Sequence, residues 1–189
     1  GIAAALTVNR LYGELERIYA EDPSTAPGEV LRLLNRYVNL TLAPHSIYAT
    51  AFCARVDCVH DVIEYASAGH PPAILRTVDA KIHELPCTSH VLGAVCEAEC
   101  NSSTSTAKFV AGDALIAYTD GALEARGKDK RMLGLTGLRN LIASSRPMPG
   151  GGWPRTVLGA VEAYRAGLPT GDTLVVEVSR PWGERPSGT

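Results

Sequence analysis

The chain of 189 residues has no apolar run approaching the length of a membrane span, and no stretch with the layout of a signal peptide. It has no excess of basic charge. Eighteen Lys and Arg against 20 Asp and Glu leave a formal net charge of −2, which argues against a general nucleic-acid-binding surface. It has no internal repeat and no tight cysteine framework. The five cysteines are Cys53, Cys58, Cys87, Cys96 and Cys100, an odd number that fits a reducing cytoplasm better than a disulfide scaffold. Cys87 with His90 and Cys96 with Cys100 are the closest pairings with metal-like spacing, and neither forms the Cys-x-x-Cys unit usual in zinc sites. Cys53 lies in an apolar strand-like run and reads as a buried, unbonded core filler. What remains is an ordinary globular composition, 46% hydrophobic and 20% charged, long enough for one domain with a real core.

In chain order, Leu11, Leu15, Ile18 and Tyr19 recur at helical spacing and predict a helix from Ile2 to about Tyr19. Val30, Leu33, Leu34, Tyr37 and Val38 mark a second helix, with Glu29 near its positive end. Ile47–Val56 and Val62–Ala66 read as a hairpin. Ser67-Ala68-Gly69-His70-Pro71-Pro72 follows, a small-residue turn that the two prolines force into an extended exit. Ala73–Arg76 and Lys81–Leu85 are short strands, and Asn101–Val110 is Ser/Thr-rich and β-prone. A helix through Leu138, Leu141 and Ile142 has Thr136 as its candidate cap. Arg146–Pro154 reads as a Gly/Pro-rich loop, Val157–Tyr164 as a helix, Thr173–Val178 as a last strand and Pro181–Thr189 as a disordered tail. Consecutive strands with helices grouped at the ends favour an α+β fold with antiparallel sheets.

The chain is organised around Ala114–Arg126, ALIAYTDGALEAR. Ala111-Gly112-Asp113 is a turn, Ala114–Tyr118 a buried strand, and Thr119-Asp120-Gly121 ends it abruptly. An acid at the tip of a rigid strand, beside a glycine that permits close approach, suits a hard cation such as magnesium or manganese. Asp-Gly after a strand is equally a hairpin turn. Arg126, Lys128, Lys130 and Arg131 form a charged loop that reads either as a solvated face or as a receiver of an anionic partner.

Ala66–Leu75 (ASAGHPPAIL), Leu92-Gly93, Ala111–Ala125 (AGDALIAYTDGALEA), Leu133-Gly134 and Thr173-Leu174-Val175-Val176 together resemble the SpoIIE/RsbU-type members of the metal-dependent PPM protein phosphatases. The resemblance implies an αββα sandwich, two stacked antiparallel sheets flanked by helices, over residues 1–180. It implies hydrolysis of phosphoserine or phosphothreonine by water activated between two manganese or magnesium ions. The partner implied is a phosphorylated STAS-domain anti-anti-sigma factor, in the cytoplasm, with a sensor domain upstream. The positions implied for metal are Asp120 with Gly121, and Asp172. Glu124 falls in the second shell, and His70 is a candidate proton carrier or a residue that pins a strand end.

The sequence departs from the family pattern twice. Gly1–Leu6 resembles the tail of the first metal signature, so its aspartate is expected upstream of Gly1 and the domain reads as N-terminally truncated. Where the family has paired acids before Thr173, this chain has Thr170 and Gly171, or Gly171 and Asp172 if one residue is deleted. The first acid is missing in either register. Two alternatives to a phosphatase therefore stand: a pseudophosphatase that binds phosphoproteins without turnover, and a small zinc-stabilised binding domain.

Overall fold

In a computed structural model the chain is described for residues 2–100, 102–168 and 171–181. Thr170 and the expected tail beyond residue 181 lie outside the described residues. The main elements are α1 (Ile2–Glu21), α2 (Pro27–Thr41), β1 (Ala51–Asp57), β2 (Val62–Ala68), β3 (Ala73–Arg76), β4 (Ile82–Leu85), β5 (Ser105–Lys108), β6 (Ala114–Tyr118), α3 (Gly134–Ser144), α4 (Gly152–Tyr164) and β7 (Val175–Ser179). Among the described residues the fold is α+β, with four α-helices and two antiparallel sheets of order β1-β2-β5 and β4-β3-β6-β7. β6 is antiparallel to both of its neighbours, as the run of consecutive strands predicts.

Two compact units divide the chain. The first takes the chain through His70 together with Cys87–Lys108, and the second takes Pro71–Pro86 and the chain from Phe109 onward. In the first unit, α1 and α2 lay Ile18, Val30, Leu31, Leu34 and Val38 against Ala66, Ala68 and Leu92. The small residues of β2 let α2 come close to the sheet, and the aliphatic contacts drive the packing. Buried Asn35 is a polar exception in that face. Its Oδ1 accepts the Gly93 N–H at 2.8 Å and its Nδ2 donates to the Val95 carbonyl at 3.2 Å, so the loop after Leu92 is fixed to α2.

In the second unit, α3 and α4 pack Leu138, Ile142, Trp153, Val157 and Val161 on Ile74, Ile116, Tyr118 and Val175. Tyr118 is buried, and its hydroxyl donates to the Pro72 carbonyl at 2.6 Å. The turn that launches β6 has a buried carboxylate. Asp113 accepts the N–H groups of Val78 and Val110, each at 2.8 Å, tying the β3–β4 turn to the start of β6.

Several boundaries differ from the sequence reading, each for a local reason. β1 starts at Ala51 rather than Ile47 because Ala49 pairs with Leu92 instead of with the hairpin partner. Thr136 does not cap α3. The helix already begins at Gly134, whose φ of 62° turns the chain into it, and no side chain caps its first turn. The Gly/Pro-rich loop ends earlier than expected, with α4 beginning at Gly152. Pro154 sits in the first turn, where its missing N–H has no helical partner to lose, and the Glu177 carboxylate on β7 accepts the Trp153 N–H at 2.9 Å. Cys53 is unbonded, as expected, but only partly buried, because it lies at the edge of the α1–α2 core beneath Tyr19. Its burial pushes the thiol pKa up.

Asp113→Ala leaves two backbone donors without their acceptor and is expected to lower the unfolding free energy by about 2–4 kcal/mol, read from urea denaturation. An unchanged midpoint would mean that these bonds do not hold the start of β6.

Candidate active site

β6 brings the chain to its abrupt end at Tyr118. Asp120 then opens a short 3₁₀ turn, Asp120–Ala122, whose backbone carbonyl accepts the N–H groups of Leu123 at 2.8 Å and Glu124 at 2.9 Å. The Asp120 residue is exposed, while Gly121 and Ala122 beneath it are buried. A carboxylate is thus presented to solvent from a backbone that packing and hydrogen bonds hold still.

The segment entering β7 is fastened directly to this turn. The Thr119 hydroxyl donates to the Asp172 carbonyl at 2.9 Å and accepts the Leu174 N–H at 2.9 Å, and the Thr119 N–H donates to the Leu174 carbonyl at 3.0 Å. On the far side, Arg165 Nη2 donates to Thr173 Oγ1 at 3.1 Å. These bonds explain why β7 starts at Val175 and not at Thr173, since Thr173 and Leu174 are occupied with the turn and with α4. Gly121 completes the join. A Cβ at this position would lie 2.5 Å from the Asp172 carbonyl oxygen, so only glycine allows the two segments to meet. Asp172 is exposed, and together with Glu162 and Arg165 it borders a cavity of about 200 Å³.

Asp120, Gly121 and Asp172, three of the residues singled out from sequence, therefore lie on adjoining backbone segments of one unit. Glu124 is exposed and follows in the same turn. His70 belongs to the other unit. Its carbonyl accepts a long bond from Ser67 Oγ at 3.4 Å, and its ring lies 5.8 Å from Phe52, tilted by 50°. Two positioning residues escape the sequence reading. In the sequence Thr119 reads only as part of a turn, and Arg165 lies just beyond the expected helix Val157–Tyr164 with no role assigned.

A pair of divalent cations needs several carboxylates to offset four positive charges. Position 171 is glycine, and among the described residues no group of three or more His, Cys, Asp and Glu side chains is arranged to hold a metal ion. Asp120 and Asp172 lie on adjoining backbone segments, and the described residues do not fit a two-cation centre. The same observation gives the zinc-domain reading no support.

Gly121→Ala is expected to force the Asp120 turn and the Asp172 segment apart and to destabilise the protein by about 1–3 kcal/mol in urea denaturation. Stability equal to the wild type would contradict the close join.

Comparison with known proteins agrees with this architecture. The PP2C domain of SiaA from Pseudomonas aeruginosa superposes with a TM-score of 0.76 at 15% identity, over 95% of this chain and 71% of that one. The RsbU and RsbW domains of a Mycobacterium tuberculosis protein give 0.70 at 25% identity, over 97% of this chain and 50% of theirs. In sequence, the phosphoserine phosphatase RsbP of Bacillus subtilis is 30% identical over 129 residues, which span 66% of this chain and 30% of RsbP. Protein IcfG of a Synechocystis strain is 26% identical over 115 residues, 61% of this chain and 18% of IcfG. The chain therefore spans less than a third of either curated relative. Residues 1–181 match the family model of stage II sporulation protein E, SpoIIE, and the chain belongs to that family.

Proposed function

We propose that residues 1–180 act as a SpoIIE/RsbU-type protein serine/threonine phosphatase domain whose cation centre is weakened at Gly171. The observation that carries this reading is the exposed Asp120 carboxylate on a hydrogen-bonded turn, tied through Thr119 to the segment bearing Asp172. It stands in a chain that matches the family over nearly its whole length. The substrate class is phosphoserine or phosphothreonine on a regulatory protein, with a STAS-type anti-anti-sigma factor as the partner, a sensor domain upstream and the cytoplasm as the place of work. That RsbP is named a phosphoserine phosphatase supports the reaction class. Among the described residues no helix is long and apolar enough to cross a membrane.

In this proposal Asp120 is the principal anchor for manganese or magnesium, and Asp172 and the Gly121 backbone border the same place. Glu124 orients the surroundings of Asp120. A second reading is favoured by one observation, the glycine at position 171 where the family has an acid. In that reading the fold is a pseudophosphatase that binds a phosphoprotein without turning it over.

The test is a manganese titration by calorimetry, run beside phosphate release from a phosphoserine protein. Asp120→Ala is expected to abolish measurable cation binding, and Gly171→Asp to strengthen it by about tenfold through an added carboxylate. Equal affinity of the wild type and Asp120→Ala would reduce Asp120 to a turn residue. Phosphoprotein binding without phosphate release would select the pseudophosphatase reading.

A further inference from the structure

The charged stretch after the Asp120 turn is a paired hairpin. Gly134 N–H donates to the Leu123 carbonyl at 2.9 Å, Leu133 N–H to Ala125 at 2.8 Å and Gly127 N–H to Arg131 at 2.9 Å. Lys130 turns the tip with a left-handed φ of 64°, and its N–H donates to the Gly127 carbonyl at 2.9 Å. The hairpin is also fixed from outside. The Tyr164 hydroxyl donates to the Arg131 carbonyl at 3.1 Å, and the Ala166 N–H donates to the Arg126 carbonyl at 2.7 Å. The side chains of this held backbone are exposed at Arg126, Lys128, Lys130 and Arg131. The single carboxylate among them is Asp129, whose Oδ2 is 3.6 Å from Arg131 Nε.

Residues 126–131 therefore carry a formal charge of +3 in a chain whose total is −2. Holding like charges together on a rigid platform works against stability, and an acidic partner would relieve that repulsion. Because the backbone is already ordered, such a partner would not have to order it on binding. The hairpin also grows directly from the turn that presents Asp120, within one compact unit. A segment seated on the hairpin is therefore held on the same continuous stretch of chain that presents that carboxylate. The positive charge is confined to six residues, which suits a short acidic segment and not the long phosphate track of a nucleic acid.

We propose that the Arg126–Arg131 hairpin is a docking surface for an acidic protein segment, one in which Asp and Glu flank the phosphorylated residue. This inference rests on the phosphoprotein-partner reading above and holds whether or not the bound residue is hydrolysed.

The experiment measures fluorescence anisotropy of a labelled phosphoserine peptide flanked by glutamates, with a lysine-flanked phosphopeptide as the control. Wild type, Lys128→Glu/Lys130→Glu and Lys128→Gln/Lys130→Gln are compared. The reversed variant is expected to weaken acidic-peptide binding by about tenfold or more, with the neutral variant intermediate. Raising salt from about 0.05 M to about 0.5 M should erase the wild type's preference for the acidic peptide. Both lysines are exposed, so an unchanged thermal midpoint accompanies the expected loss. Equal affinity across the three proteins, no binding of the acidic peptide by wild type, or tighter wild-type binding to a labelled RNA oligonucleotide would each overturn the proposal. A parallel assay of manganese-dependent para-nitrophenyl phosphate hydrolysis separates the two claims. Absence of hydrolysis counts against the phosphatase reading alone, and charge-dependent docking is judged by the peptide.

Discussion

One hydroxyl group organises the candidate site. Thr119 Oγ1 donates to the carbonyl of Asp172 and accepts the amide of Leu174, so a single side chain joins the end of β6 to the approach of β7. The neighbouring features follow from that join. Gly121 must be glycine because the Asp172 carbonyl occupies the space of a Cβ. β7 must begin late because the residues before it are engaged. Arg165 reaches Thr173 from the end of α4 and holds the same segment on its other side. The core beneath supplies the rigidity, since Ile116 and Tyr118 are buried against α3 and α4 through aliphatic and aromatic contacts. A carboxylate on such a support can meet a cation without its backbone first being ordered, which is the main physical advantage of placing it at a strand end.

The same geometry defines what the site lacks. In the proposed reading Gly171 stands where the resemblance calls for an acid, and a backbone without a side chain adds no charge. Asp120 and Asp172 together carry two negative charges, half of what two divalent cations bring. The protein therefore retains the frame of a SpoIIE-type domain while the electrostatic basis for binding a cation pair is thin among the described residues. Fold and chemistry are separable in this way because the frame depends on hydrophobic packing and backbone hydrogen bonds, which do not use the side chain at position 171.

Much of the fold was legible because it rests on local signals. The hairpin pattern of Ile47–Val56 and Val62–Ala66, the turn at Gly112-Asp113 and the apolar run of β6 each point to one structure. Asp120 was legible for the same reason, as an acid where an apolar run stops. Less legible features depend on partners distant in sequence. Asn35 looks like a stray polar residue in a helix until Gly93 and Val95 are beside it. Pro154 argues for a loop until Glu177, 23 residues later, caps the turn in which it lies. The Arg126–Arg131 stretch has the composition of a solvated loop, and only its pairing with residues 131–134 makes it a hairpin. His70 stood out through the family resemblance and not through its own spacing, and its observed neighbours are Ser67 and Phe52.

Anomalous diffraction from crystals soaked in manganese locates each cation and its occupancy. A partially occupied peak is expected in coordination contact with the Asp120 carboxylate, lost in Asp120→Ala crystals. Two fully occupied peaks in the wild type, or a peak that persists without Asp120, would contradict it.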